Sequence, residues 1–158
     1  MTSEPAVDDE LVDVHLLRYP LRLGRRATEH YEEVFRELAL LADTQPPVPD
    51  SMPSRLLALV GDLGRRYPRQ QVHEEERDAA LRAGETSRDM VIQVGASMVE
   101  GTKILDSLLD ETDDLCRTGG LLTLGPPEGV LDFRRWYLAQ CMTQLQGGAA
   151  VPWPGDLD

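Results

Sequence analysis

A chain of 158 residues fits one domain of ordinary size, and a hydrophobic fraction of 41% is enough to build a core, so wholesale disorder is excluded. The net charge of −12 argues against nucleic acid, whose binding needs clustered cations to displace counterions, and against docking on anionic lipid. No run approaches the roughly 18 apolar residues of a membrane span.

The N-terminal MTSEPAVDDELVD is acidic and lacks the basic and apolar regions of a signal peptide. The expected location is therefore cytoplasmic. Lys103 is the single lysine, and with abundant Ala, Gly, Val and Leu the composition suggests a high-GC bacterial genome. What the charge permits is a basic or mixed protein surface as partner.

In chain order, residues 1–11 read as a disordered lead. Leu17, Tyr19, Leu21 and Leu23 then alternate with Arg18, Pro20 and Arg22, which predicts a half-buried strand closed by Gly24. Pro20 donates no ladder hydrogen bond and puts that strand at an edge. Ala27, Tyr31, Val34, Phe35, Leu38, Leu41 and Ala42 recur at helical spacing opposite Glu29, Glu32, Glu33, Arg36 and Glu37, a long amphipathic helix. The proline-rich TQPPVPDSMPS is a loop. Ser51 or Ser54 caps the next helix, which stops before Pro68. Residues 69–86 are nearly all polar and read as an exposed helical bridge.

Met90 to Val94 is short, apolar and ended by Gly95, hence a strand. Met98, Gly101, Thr102, Leu105, Leu108, Leu109, Thr112, Leu115 and Cys116 form a clean helical stripe, with Gly119 as a left-handed C-terminal cap. LLTLG is a brief strand or a connector. Pro126 and Pro127 suit the first turn of a last helix running to about Leu145, and GGAAVPWPGDLD is a tail. The expected fold is mainly α with a minor β component. It comprises one domain over 12–147, tail 148–158, and two strand–helix–helix units (14–67 and 90–146) that form a candidate pseudo-repeat around one core. Neither short strand stands alone, so the two must pair with each other or with a third segment.

No catalytic motif is present: no nucleophile elbow, no zinc-protease pairing among His15, His30 and His73, and no phosphate-binding glycine loop. The expectation is a non-enzymatic protein with no cofactor. Cys116 and Cys141 each lie on an apolar helix side and read as buried thiols. Asp106, Asp110, Asp113 and Asp114 share one helix face. Oxygen ligands so placed suit a divalent metal in principle, but no second acidic motif accompanies them. They read as a solvated face or a docking face for protein, compensated by Arg117 or a basic partner.

The last helix, DFRRWYLAQCMTQL, carries an inversion. Arg134 falls inside its apolar arc, whereas Trp136 falls on the polar side beside Asp132, Gln140 and Thr143. A buried guanidinium needs a partner, and the acidic helix or Glu128 supplies one. The alternative makes Arg134 an anion-binding clamp for a small ligand. Trp136 is covered by Val151, Pro152, Trp153 and Pro154 folding back, or lies partly exposed, or belongs with Arg135 to a bare partner-binding patch. The expected contact surface is therefore Asp106, Asp110, Asp113, Asp114, Arg135 and Trp136.

The segments LLRYPLRLGRRATEHYEEVFRELALL, DETDDLCRTG, LLTLGPP and FRRWYLAQ together resemble a family of small actinobacterial proteins encoded near sigma-factor partner-switching components. The resemblance spans most of residues 14–146. It implies a regulatory role in stress or developmental signalling, with an anti-sigma or STAS-type regulator as partner; a homodimer is the other association to test. An ATP-binding kinase fold is not implied, because the asparagine-bearing helix and D-x-G-x-G loop it requires are missing.

Overall fold

The computed structural model describes residues 9–44, 51–66 and 70–157, without the side chains of 52, 62–66 and 70–72. Strands β1 (Leu11–Pro20) and β2 (Ser87–Gly95) pair antiparallel, with Val14 opposite Ile92 and Leu16 opposite Met90. The two predicted strands therefore pair with each other, and each alternates buried with exposed residues as a one-faced sheet requires. Of the predicted lead, residues 1–8 lie outside the described residues. Asp9 bonds the Ser97 N–H and hydroxyl at 3.0 and 2.7 Å, and the Glu10 carbonyl accepts the Ala96 N–H at 2.8 Å. The lead is thus fixed from Asp9 onward.

The first strand ends earlier than the alternation predicts. Its register shifts between Leu16 and Tyr19, with Arg18 at φ +52° and its N–H held by Asp89 Oδ1 at 2.8 Å. This bulge turns both Leu16 and Tyr19 toward the core despite their odd separation. Helix α1 (Leu21–Thr44) begins directly after Pro20, so Leu21 and Leu23 are buried from a helix and Gly24 lies inside it. Gly24 is required there for closeness, since a β-carbon would overlap the Tyr19 hydroxyl.

Helix α2 (Met52–Arg66) starts with the Ser54 N–H on the Ser51 hydroxyl at 3.4 Å, an N-cap from one of the two expected serines. Helix α3 (Gln70–Arg82) is not the purely exposed bridge expected. Arg77 and Ala80 are buried where it packs on α1, because the polar stretch hides one long side chain whose donors find partners there. A 3-10 turn (Ala96–Met98) leads into α4 (Val99–Arg117), and Gly119 at φ +78° closes it as predicted. LLTLG is a connector. Helix α5 (Val130–Leu145) begins at the left-handed Gly129, so Pro126 and Pro127 precede the helix rather than open it.

The fold is mainly helical with a two-stranded sheet. One core cluster joins the inner sheet face to α5, the start of α1 and Trp153. A second joins α1, α2 and α4 through Val34, Leu38, Leu56, Leu108, Leu109 and Leu121. Both halves run strand, long helix, shorter helix, with α3 between them. Among the described residues no helix is long and apolar enough to cross a membrane.

Candidate functional site

Arg134 is 5% exposed and aims at three carboxylates of α4. Its Nη1 donates to Asp113 Oδ2 at 2.6 Å and to the Tyr31 hydroxyl at 3.0 Å, Nη2 donates to Asp110, and Nε lies 3.3 Å from Asp106. The spacing 106, 110, 113 repeats every helical turn, which is why one guanidinium reaches all three. Burial opposes the arginine's charge, but Tyr31, Asp113 and Asp110 outweigh it and hold the guanidinium above its ordinary pKa. Burial pushes the Tyr31 phenol well above its ordinary value. His30 Nε2 lies 3.8 Å from Asp113 Oδ1 and closes the cluster from α1. The network pins α5 to α4 and α1, as the ion-pair reading of Arg134 requires.

The tail covers Trp136. Its indole N–H donates to the Val151 carbonyl at 2.9 Å, and the Val151 N–H donates to Gln140 Oε1 at 2.8 Å, one helical turn along. Trp153 packs edge-on against Trp136 with centroids 5.6 Å apart, and its backbone N–H donates to the Leu17 carbonyl at 3.0 Å. Arg18 Nη1 donates to the carbonyls of Trp153 and Gly155 at 2.9 and 2.8 Å. The Gln144 amide bonds both the N–H and the carbonyl of His15 at 2.8 Å, taking the place of a third strand. Trp136 is consequently only 8% exposed.

These facts correct part of the predicted contact surface. Trp136 is covered by the tail, and Asp113 is 1% exposed because it is enclosed with Arg134, so neither reaches a partner. Asp110 and Asp106 are partly open but already paired with Arg134. Asp114 is exposed and pairs with Arg117, while Arg135 is exposed on the other side of α5.

Sequence reasoning missed the most exposed apolar side chains. Leu122 and Leu124 are 93% and 81% exposed in the α4–α5 connector. They are not on a slack loop: the Glu37 carboxylate accepts the N–H groups of Leu122 and Thr123 and the Thr123 hydroxyl, the last at 2.6 Å. Burial alone raises the Glu37 pKa, but these hydrogen bonds prevail and hold it below the usual carboxylate range. Exposed Leu40 and Leu41 follow Glu37 on α1, and Gly125 approaches Arg117 Cγ, so the leucines sit between α1 and the acidic end of α4. The available signal was two unpaired leucines in a connector, LLTLG, too short for a strand.

A concavity of about 260 Å³ opens between α1, α3 and α5. Tyr19, Phe35, Phe133, Tyr137 and Leu138 supply its apolar walls, and His73, Arg77, Glu32 and Glu74 its polar ones. Arg77 Nη1 is held by the Thr28 hydroxyl at 2.7 Å and Nε by Asp78 at 3.1 Å. Both ring nitrogens of His73 are buried without a hydrogen-bond partner among the described residues. Burial, with the Arg77 charge nearby, pushes its pKa down to about 4.

Cys116 and Cys141 are free, buried and in different core clusters, as small apolar side chains. Burial raises both thiols, Cys141 to about 12. Among the described residues no group of His, Cys, Asp and Glu is arranged to hold a metal ion. Compared with protein-family models, curated proteins and solved structures, the chain has no significant match.

Proposed function

We propose that the chain is a non-enzymatic regulatory protein that works by protein–protein contact in the cytoplasm. The observation that carries this reading is the Leu122/Leu124 connector, apolar and almost fully exposed, yet locked by Glu37. An exposed leucine pair fixed in advance loses little entropy on docking, which is how rigid interface anchors behave. The net charge of −12 favours a partner with a basic rim around an apolar centre. The likeness to proteins encoded near partner-switching regulators supplies a setting in which an anti-sigma or STAS-type regulator is that partner. The anion-clamp alternative loses support because the donors of Arg134 face protein carboxylates.

The test is affinity purification from the native host with wild-type and Leu122→Ser/Leu124→Ser baits. The expected result is a partner retained at low salt by wild type, released as salt rises, and lost from the variant. Recovery of the same partner at the same yield by both baits would place the contact elsewhere.

A further inference from the structure

We propose that the groove between the start of α1 and the end of α3 binds a short chain of linked phosphate groups, the chemistry shared by an inorganic polyphosphate and the tail of a nucleoside triphosphate. Four exposed arginines line this space of about 590 Å³: Arg22, Arg25 and Arg26 on α1, and Arg82 on α3. In a chain of net charge −12 such a concentration of cations runs against the average. It also runs against local helix energetics. Arg25 and Arg26 stand three and four positions after Arg22, where like charges repel. All three crowd the positive end of the α1 dipole, with no acidic residue in the first turn to offset them. Arg82, in the last turn of α3, sits where a helix favours a cation, but it adds its charge to the same groove.

The two carboxylates of the lining are already taken. Glu29 pairs with Arg25 at 3.0 Å, and Asp78 pairs with the buried Arg77 at 3.1 Å. Arg26 and Arg82 take part in no hydrogen bond or ion pair among the described residues, so their donors are open to a ligand. Guanidinium groups bond phosphate oxygens two at a time. Side chains three and four apart on a helix have β-carbons only about 5–6 Å from each other, so the ligand needs closely spaced charges. A phosphate chain carries a charge on every linked group. In an extended acidic peptide every second side chain turns away, and same-side carboxylates lie about 7 Å apart. Leu81 is the apolar side chain of the lining, and no aromatic ring joins it among the described residues. A nucleobase therefore finds no stacking face, and the phosphates alone carry recognition. The leucine connector is held by Glu37, further along α1, so the two sites stand or fall separately.

The experiment is calorimetric titration of the full chain at pH 7, in about 50 mM salt without divalent metal, with tripolyphosphate, adenosine triphosphate, orthophosphate and a hexaglutamate peptide. Tripolyphosphate and adenosine triphosphate are expected to bind alike, and orthophosphate and hexaglutamate at least about tenfold more weakly. Arg26→Gln/Arg82→Gln removes the two open guanidinium groups and is expected to raise the Kd for tripolyphosphate by about tenfold or more. Arg36→Gln removes an exposed arginine ten positions further along α1 and is expected to leave that Kd within about twofold. No binding of tripolyphosphate, equal affinity for orthophosphate or hexaglutamate, tighter binding of adenosine triphosphate, or a double variant no weaker than Arg36→Gln each overturns the proposal. Should the double variant not fold, the arginine side-chain NMR signals of Arg26 and Arg82 in the wild-type chain decide: they shift on tripolyphosphate addition, or the proposal fails.

Discussion

Two buried arginines divide the molecule into regions with opposite polar character. Arg134 faces three carboxylates on one helix, which share its single positive charge. Arg77 bonds earlier turns of the same α1 face, with mostly neutral partners, the Thr28 hydroxyl and the Gly24 carbonyl, and with the half-exposed Asp78. Beside it His73 has no partner for either nitrogen among the described residues. The first region is an ionic cluster, with Arg134 Nε, Asp106 Oδ1, Asp113 Oδ1 and His30 Nε2 buried without a hydrogen bond among the described residues, and it reads as architecture. The second holds its arginine mostly with neutral groups, beside a histidine whose ring nitrogens are closed off without partners.

The largest effect expected comes from removing Arg134. Arg134→Met leaves Asp113 buried without its main counter-charge and is expected to cost about 3–5 kcal/mol in urea unfolding. Adding Asp113→Asn should return part of that loss, and a double variant no better than the single one would deny the coupling. A pH series probes the other region. The His73 pKa is depressed, from about 6.5 unfolded to about 4 folded, so the folded state resists its protonation. The stability tied to its neutral form is therefore present above pH 6.5 and is lost as pH falls toward 4, by roughly 3 kcal/mol across the window. Unfolding measured at pH 7 and pH 5 in wild type and His73→Phe checks this, and equal slopes would refute it. The smallest effect expected is that of Arg77→Met, about 1–3 kcal/mol, since the Thr28 hydroxyl and the Gly24 carbonyl still bond each other and no buried charge is left unpaired. A loss equal to that of Arg134→Met would erase the distinction between the regions.

The ionic region around Arg134 was the legible one. The stripe of α4 and its acidic face follow from helical spacing, and the rule that a buried charge needs a partner leads from Arg134 to that face without coordinates. Trp136 was legible as two-sided, but its cover depends on how residues 151–153 return, which no local pattern encodes. The end of β1 was misplaced because a bulge at Arg18 resets the side-chain period, and period-two reasoning assumes an unbroken strand. Helix α3 looked too polar to be buried because the hydrogen bonds that admit Arg77 come from Gly24 and Thr28, about 50 residues earlier. His73 carried no signal at all: within HEEER it is one more polar residue, and its isolation exists only in three dimensions.

The clasp on the outer edge of β1 also has a consequence for how the chain folds. His15 takes its partner from Gln144, 129 positions away, and Arg18 takes the Trp153 carbonyl, 135 positions away. Such contacts close nearly the whole chain into a loop, and loop closure precedes the reward of pairing. During synthesis β1 emerges before β2 and α5 and waits for both, so it exposes an unprotected strand edge until late. Folding should accordingly be slow for a protein this helical, governed by the meeting of distant segments more than by the formation of any helix.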